Sequence, residues 1–176
     1  MKTAVIYASR YGYTRQYAEW LADDLGADLF DVREARAGLI EQYDILVLGG
    51  GVYAGKLNGI EWFAGNAERL RGKKLIYFAV GLRNPDMPET EEAVRQSLHR
   101  QLPENLCGQV RLFCLHGGLD DKKLSFVHRA MMRVMKASLR RKPVNERSVE
   151  DNAILTGRAD YLDRGALAAI AAFCRE

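Results

Sequence analysis

Cysteine is scarce in this chain. Cys107, Cys114 and Cys174 are odd in number and include no C-x-x-C pair. A disulfide framework and a paired-thiol redox motif are therefore excluded, and the three thiols read as reduced and structural. Long hydrophobic runs are also missing. No apolar stretch approaches the ~20 residues that a spanning helix needs. The N-terminal apolar run stops at Ala8. That is too short for a signal-peptide core, and no small-residue cleavage site follows, so a cytoplasmic protein is expected. There is no Walker lysine and no G-x-G-x-x-G, which argues against nucleoside triphosphates and dinucleotides. There is no nucleophile elbow for a hydrolase. His99, His116 and His128 are scattered without metal-ligand spacing. His116, just after an apolar run, reads as a hydrogen-bonded structural histidine.

What remains is an ordinary globular composition. The 176 residues are 48% hydrophobic and 28% charged, which suits one domain over 1–176 without repeats or linkers. The net charge of +3 conceals an asymmetry. Residues 122–142 hold eight Lys/Arg (Lys122, Lys123, Arg129, Arg133, Lys136, Arg140, Arg141, Lys142) and no Asp or Glu. The other 18 basic side chains stand against 23 acidic ones. An acidic body thus carries one basic segment, a charge distribution that speaks of a partner surface rather than of the fold.

Apolar runs alternate with helical patterns along the chain. Residues 2–8, 27–32, 44–48, 74–80 and 110–115 read as strands. Helices are predicted over 14–25, with Tyr17, Leu21 and Leu25 inward and Gly26 as the stop. Another is predicted after an Asn58 cap, with Ile60, Phe63, Ala67 and Leu70 inward. A third opens at Pro88 and carries Val94 and Leu98. The last is expected over 160–173, burying Leu162, Leu167, Ile170 and Phe173. Glu89, Glu91 and Glu92 favour the dipole of their helix and need no other role. The rhythm predicts an α/β fold: a doubly wound five-stranded parallel sheet of order 2-1-3-4-5 with helices on both faces. Such sheets bind ligands beyond the carboxyl ends of their strands, here the loops after Ala8, Leu48 and Val80.

The first loop, Ser9, Arg10, Tyr11, Gly12, Tyr13 and Thr14, runs into a helix. Its free N–H groups and the helix dipole favour an anion, with Ser9 and Thr14 as hydroxyl donors and Gly12 allowing close approach. The same loop also suits an ordinary strand-to-helix turn. The second loop holds Gly49, Gly50 and Gly51, then Val52, Tyr53, Ala54, Gly55 and Lys56. Its glycines allow a flat ligand near the backbone, and Tyr53 can stack on a ring for about 1 kcal/mol beyond burial. A simple turn and a half-buried surface aromatic fit these residues too. The third loop is Gly81, Leu82, Arg83, Asn84 and Pro85.

Residues 124–141 have helical periodicity. Lys122, Arg129, Arg133, Lys136 and Arg140 share one face; Leu124, Val127, Met131, Val134 and Met135 share the opposite one. That pattern suits a helix on an anionic membrane surface, or one docked on the body with its cations outward. Nucleic acid is not expected, because aromatic interleaving is missing.

These loops resemble the flavodoxin superfamily, whose phosphate loop reads Ser/Thr-x-Thr-Gly-x-Thr. Ser9, Gly12 and Thr14 fit, and Tyr11 stands where the family has Thr. The resemblance implies FMN, its phosphate at residues 9–14 and its ring between Gly51, Val52, Tyr53, Ala54, Gly55 and Gly81, Leu82, Arg83, Asn84. The basic, Met-bearing segment after Gly117, Gly118 and Leu119 is similar to that of the flavodoxin-like, quinone-dependent protoporphyrinogen dehydrogenases. Tyr161 and Asp163, at the opening of the last predicted helix, fit as well. The second loop departs, with Tyr53, Ala54, Gly55 and Lys56 in place of Arg-Tyr-Gly-His. This branch implies oxidation of protoporphyrinogen IX in haem biosynthesis, with electrons passed to a quinone. The protein would then be cytoplasmic or peripheral on the inner face of the membrane. Two other functions stay open: a flavodoxin-type electron carrier, against which the pI of about 8.8 argues, and a binding module without flavin. No side chain is assigned as acid or base, no metal is expected, and the oligomeric state is left open.

Overall fold

The computed structural model describes residues 1–176. Strand β1 (Thr3–Ala8) leads into helix α1 (Tyr13–Leu25), and β2 (Asp28–Asp31) follows. Strand β3 (Ile45–Tyr53) turns back through a two-residue strand, β4 (Lys56–Leu57). Helix α2 (Ile60–Gly65), strand β5 (Lys74–Gly81), helix α3 (Pro88–Gln101), a single turn α4 (Glu104–Cys107) and strand β6 (Val110–His116) complete the main layers. Then come β7 (Gly118–Asp120), α5 (Phe126–Arg141), α6 (Val149–Thr156), β8 (Arg158–Asp160) and α7 (Ala168–Arg175).

The main sheet runs β2-β1-β3-β5-β6, all parallel, with β4 pairing β3 antiparallel. This is the predicted doubly wound order, with the hairpin strand added. Alternation along the strands divides the core in two. Ala4, Ile6, Leu46, Leu48, Leu75 and Tyr77 point to the side covered by Ile60 and Phe63 of α2 and by Val94 and Leu98 of α3. Val5, Ile45, Val47, Ile76 and Phe78 point to the other side, against Tyr17 and Leu21 of α1 and Ile170 and Cys174 of α7.

Four local expectations are corrected. The glycine triplet is not a turn: Gly49, Gly50 and Gly51 continue β3 in register with β5. An added Cβ at Gly49 would lie 2.0 Å from Phe78 Cζ, and at Gly50 2.0 Å from the Tyr77 hydroxyl. The first two glycines therefore make room for neighbouring aromatic rings. Asn58 does not cap α2. Its Nδ2 donates to the Ala8 carbonyl at 3.0 Å, and Gly59, at φ +80°, takes the cap position. Helix α2 ends at Gly65, so Ala67 lies beyond it, and Leu70 reaches the core from the turns that follow. Finally, α7 starts only at Ala168. Asp160 belongs to a second small sheet, in which β8 pairs β7 antiparallel. Asp163 caps a 3-10 turn by accepting from the Gly165 N–H at 2.8 Å.

Candidate functional site

Beyond the carboxyl ends of β3, β5 and β6, and beside the loop after β1, lies a cleft of about 840 Å³. That volume lies within the usual range for cofactor and substrate pockets. Eleven predicted site residues line it: Tyr11, Tyr13, Thr14, Val52, Tyr53, Ala54, Gly55, Gly81, Leu82, Arg83 and Asn84. Ser9 and Arg10 instead face a neighbouring shallow cleft with Asp31, Arg33 and Trp62. Gly12 and Gly51 line neither cleft but shape their loops.

The first loop is built around Gly12, whose φ of +99° caps α1 without a side-chain bond. Its N–H donates to Ser9 Oγ at 3.1 Å, and its carbonyl accepts from Gln16 N–H at 2.9 Å. Ser9 thus braces the loop from inside. The N–H groups of Tyr13, Thr14 and Arg15 receive no acceptor from the chain. Thr14 is 2% exposed and is one of two buried polar residues in the protein. Free amides at a helix start, beside the Thr14 hydroxyl, form a donor set that fits a phosphate.

The second loop is the β3–β4 hairpin. Ala54 (φ +49°) and Gly55 (φ +76°) make its turn. Buried Ser97 on α3 donates its hydroxyl to the Gly55 carbonyl, and Gln101 Nε2 donates to Ser97 Oγ at 2.7 Å. Gln101 Oε1 in turn accepts the Leu57 N–H at 3.4 Å. The hairpin is therefore held by α3 rather than hanging free. Tyr53 folds back over Gly51, where a Cβ would lie 2.7 Å from the ring. Burial pushes the Tyr53 phenol up to about 12, with the Tyr11 phenol adding to the effect.

The third loop is tied down at three points. Gly117 N–H donates to the Gly81 carbonyl at 2.7 Å, His116 Nε2 lies 3.0 Å from the Leu82 carbonyl, and Asn84 N–H donates to Glu150 Oε1 at 3.2 Å. The His116 ring stacks on Tyr161 at a centroid distance of 4.1 Å. His116 is thus hydrogen-bonded, as its sequence position suggested, and it holds a wall of the cleft. Tyr17 links this corner to the last segment: its hydroxyl donates to the His116 carbonyl at 2.8 Å and accepts the Asp163 N–H at 3.0 Å. Tyr161 and Asp163 precede the last helix instead of opening it.

Helix α5 roofs the cleft with Met131, Met132, Met135 and Leu139. Its first turn also brings in a residue that the scattered histidines gave no reason to choose. His128 stacks on Tyr53 with ring centroids 5.5 Å apart. His128 Nδ1 lies 2.5 Å from the Tyr11 hydroxyl, and Nε2 lies 3.3 Å from Arg10 Nη1. The only sequence signal for it was its helical spacing from the methionines. Of the two arrangements open to this helix, an apolar face wholly docked on the body does not hold, and one cation leaves the basic face. Val127 and Val134 are exposed rather than core, and no residue of α5 is buried. Lys136 turns inward and pairs with Asp121. Leu124 is buried but precedes the helix.

Among the side chains, no group of His, Cys, Asp and Glu is placed to hold a metal ion. No helix is long and apolar enough to cross a membrane. Cys114 lines the cleft, and burial pushes its thiol up to about 11, which favours the protonated form.

Comparison with known proteins agrees with this geometry. An uncharacterised protein of Methanocaldococcus jannaschii is 27% identical over 128 residues, covering 68% of this chain and 85% of that protein. A crystal structure described as a flavoprotein from Bacteroides eggerthii superposes with a TM-score of 0.50 at 17% identity, covering 76% of this chain and 96% of that one. Flavodoxin 2 of Bacillus cereus is 22% identical, with a TM-score of 0.45 over 66% of this chain and 86% of its own. At 17% identity the likeness to the Bacteroides structure speaks for the fold alone. Residues 4–145 match the flavodoxin domain family. A parallel β2-β1-β3-β5-β6 sheet with a cleft beyond the carboxyl ends of its strands, and a family match over residues 4–145, make this chain a member of the flavodoxin domain family.

Proposed function

We propose that the cleft holds FMN and that the protein is an FMN-dependent oxidoreductase acting on a flat, largely apolar substrate. The best-matched substrate is protoporphyrinogen IX, with a quinone as acceptor. One observation carries this reading: residues from all three loops line one cleft together with the methionines of α5, and the Tyr13 and Thr14 amides beside it have no acceptor within the chain. The Tyr13, Thr14 and Arg15 amides with the Thr14 hydroxyl would hold the phosphate. The β3–β4 hairpin and the 81–84 loop would flank the ring, the Tyr53 ring itself being covered by Gly51 and His128 rather than free to stack on a ligand. When bound, FMN supplies two-electron redox chemistry between a reduced substrate and its acceptor.

The chain's own residues bind, orient and exclude water. Ser97 and Gln101 hold the hairpin, and His116 holds the Leu82 carbonyl, so both walls are fixed before a ligand arrives. Met131, Met132 and Met135 offer an adaptable apolar surface suited to a broad macrocycle or a quinone ring. Arg83 is exposed at the rim and can meet a substrate carboxylate.

The test uses the purified full chain loaded with FMN, anaerobic protoporphyrinogen IX and a soluble quinone, followed by porphyrin fluorescence. Quinone-dependent appearance of porphyrin is expected. A flavin-loaded protein that leaves the porphyrinogen unchanged overturns the substrate; a protein that takes up no FMN overturns the whole reading. One observation favours a second reading, an electron carrier. The hairpin tip at Ala54, Gly55 and Lys56 is exposed, which would leave a ring edge open to a protein partner. Rapid electron exchange with a reductase, without turnover of any small substrate, would select it.

A further inference from the structure

The outward side of α5 has no role in the cleft. The helix is seated through His128, Met132, Lys136 and Leu139, its four half-buried residues, and everything else on it is exposed. At 1.5 Å per residue its sixteen residues span about 24 Å. Phe126 is 82% exposed, Val127 63% and Val134 73%. Of the ten large hydrophobic side chains exposed anywhere on the protein, seven lie between residues 126 and 149. Val127 and Val134, seven residues apart, form one row. Arg129, Arg133 and Arg140, at steps of four and seven, form another. Phe126, Ala130 and Ala137 lie between the two rows.

The charge on this face is of one sign and unspent. Of the eight cations in residues 122–142, Lys136 pairs with Asp121 and Lys142 with Asp151, and the other six have no carboxylate partner. An apolar row beside an unpaired cationic row, on a helix lying flat on the body, is the pattern of an interfacial helix. A nucleic acid would meet the arginines but would gain nothing from covering valines. A second copy would bring the same acid-free patch against itself in a two-fold contact.

We propose that the solvent face of α5 docks the protein on an anionic lipid surface. Phe126, Val127 and Val134 enter the headgroup boundary, while Arg129, Arg133 and Arg140 meet lipid phosphates. The docking stands whether or not the cleft carries flavin. It also places the methionine roof beside the lipid, on the inner side of the same helix.

The experiment is co-sedimentation of the full chain with vesicles of phosphatidylcholine alone and of phosphatidylcholine mixed with phosphatidylglycerol. Binding is expected on the mixed vesicles only, and it should weaken as salt rises. Each arginine near the surface is worth about fivefold in partitioning. Arg133→Glu is thus expected to weaken binding by more than fivefold. Phe126→Ser keeps every charge and is expected to weaken it by on the order of tenfold. Arg71→Glu, an exposed change before β5, should leave it unaltered. Thermal melts followed by circular dichroism confirm that each variant is folded. Several outcomes would overturn the proposal: no pelleting on mixed vesicles, equal pelleting on neutral ones, or binding indifferent to Phe126→Ser. A vesicle-free dimer that Phe126→Ser dissociates would assign the face to a second copy instead.

Discussion

Replacing Gly12 by alanine separates strain from clash at the loop before α1. The residue sits at φ +99°, and an added Cβ would meet nothing within 4 Å. Gly12→Ala therefore introduces backbone strain alone. An L-residue held in left-handed backbone costs about 1–2 kcal/mol. The chain can keep the loop and lose that stability. It can also relax toward negative φ and turn the Tyr13 and Thr14 amides away from their common direction. The loss is expected as about 1–2 kcal/mol in urea unfolding, or as about 5–30-fold weaker FMN binding, or divided between them. Gly49→Ala is the opposite case, since its Cβ would lie 2.0 Å from Phe78 Cζ in the middle of the sheet. Overpacking of that kind costs about 1–3 kcal/mol of stability and should leave FMN affinity of the folded protein unchanged. Urea unfolding and quenching of flavin fluorescence read the two quantities. A Gly12→Ala protein identical to its parent in both would show that the left-handed backbone at this position carries no strain for an L-residue.

Two further perturbations follow from the geometry. Ser97→Ala removes the donor to the Gly55 carbonyl and an acceptor for Gln101. It is expected to cost about 1 kcal/mol and to speed amide exchange at Leu57; unchanged exchange there would deny α3 its hold on the hairpin. Acid should loosen the α5–α6 corner. The Lys142 ammonium, then the Ser148 N–H, hold the Asp151 carboxyl below its ordinary range. A lowered folded value means stability that is present above the unfolded value of about 3.9 and lost as pH falls through the folded one. Helicity lost below about pH 4 should therefore be smaller in Asp151→Asn; identical acid profiles would remove this pair from the account.

Strand and helix order was legible because the buried strands are continuous apolar runs and the helices carry four-residue spacing. Tyr17 and Leu21 entered the core as their spacing predicted, and Gly26 ends α1 at φ +60°. The glycine triplet misled because flexibility in sequence does not say what fills the space. Here Phe78 and Tyr77 fill it at the first two positions. Asn58 has the chemistry of a cap, yet its amide serves Ala8, a contact across 50 positions that no local pattern encodes. The β7–β8 pair and α6 escaped for the same reason, being short elements defined by tertiary pairing. In the site, the loops after β1, β3 and β5 were legible from topology. His128 was not, because its place beside Tyr11 and Tyr53 depends on how α5 folds back over the cleft.

The central claim is a donor set at the start of α1 that takes a phosphate while the adjoining cleft takes a ring. Titrating the purified protein in parallel with FMN and riboflavin, by flavin fluorescence, tests it directly. One FMN per chain is expected, bound more tightly than riboflavin, with the difference reduced in Thr14→Val. No binding of either flavin, or equal affinity for the two, would contradict it.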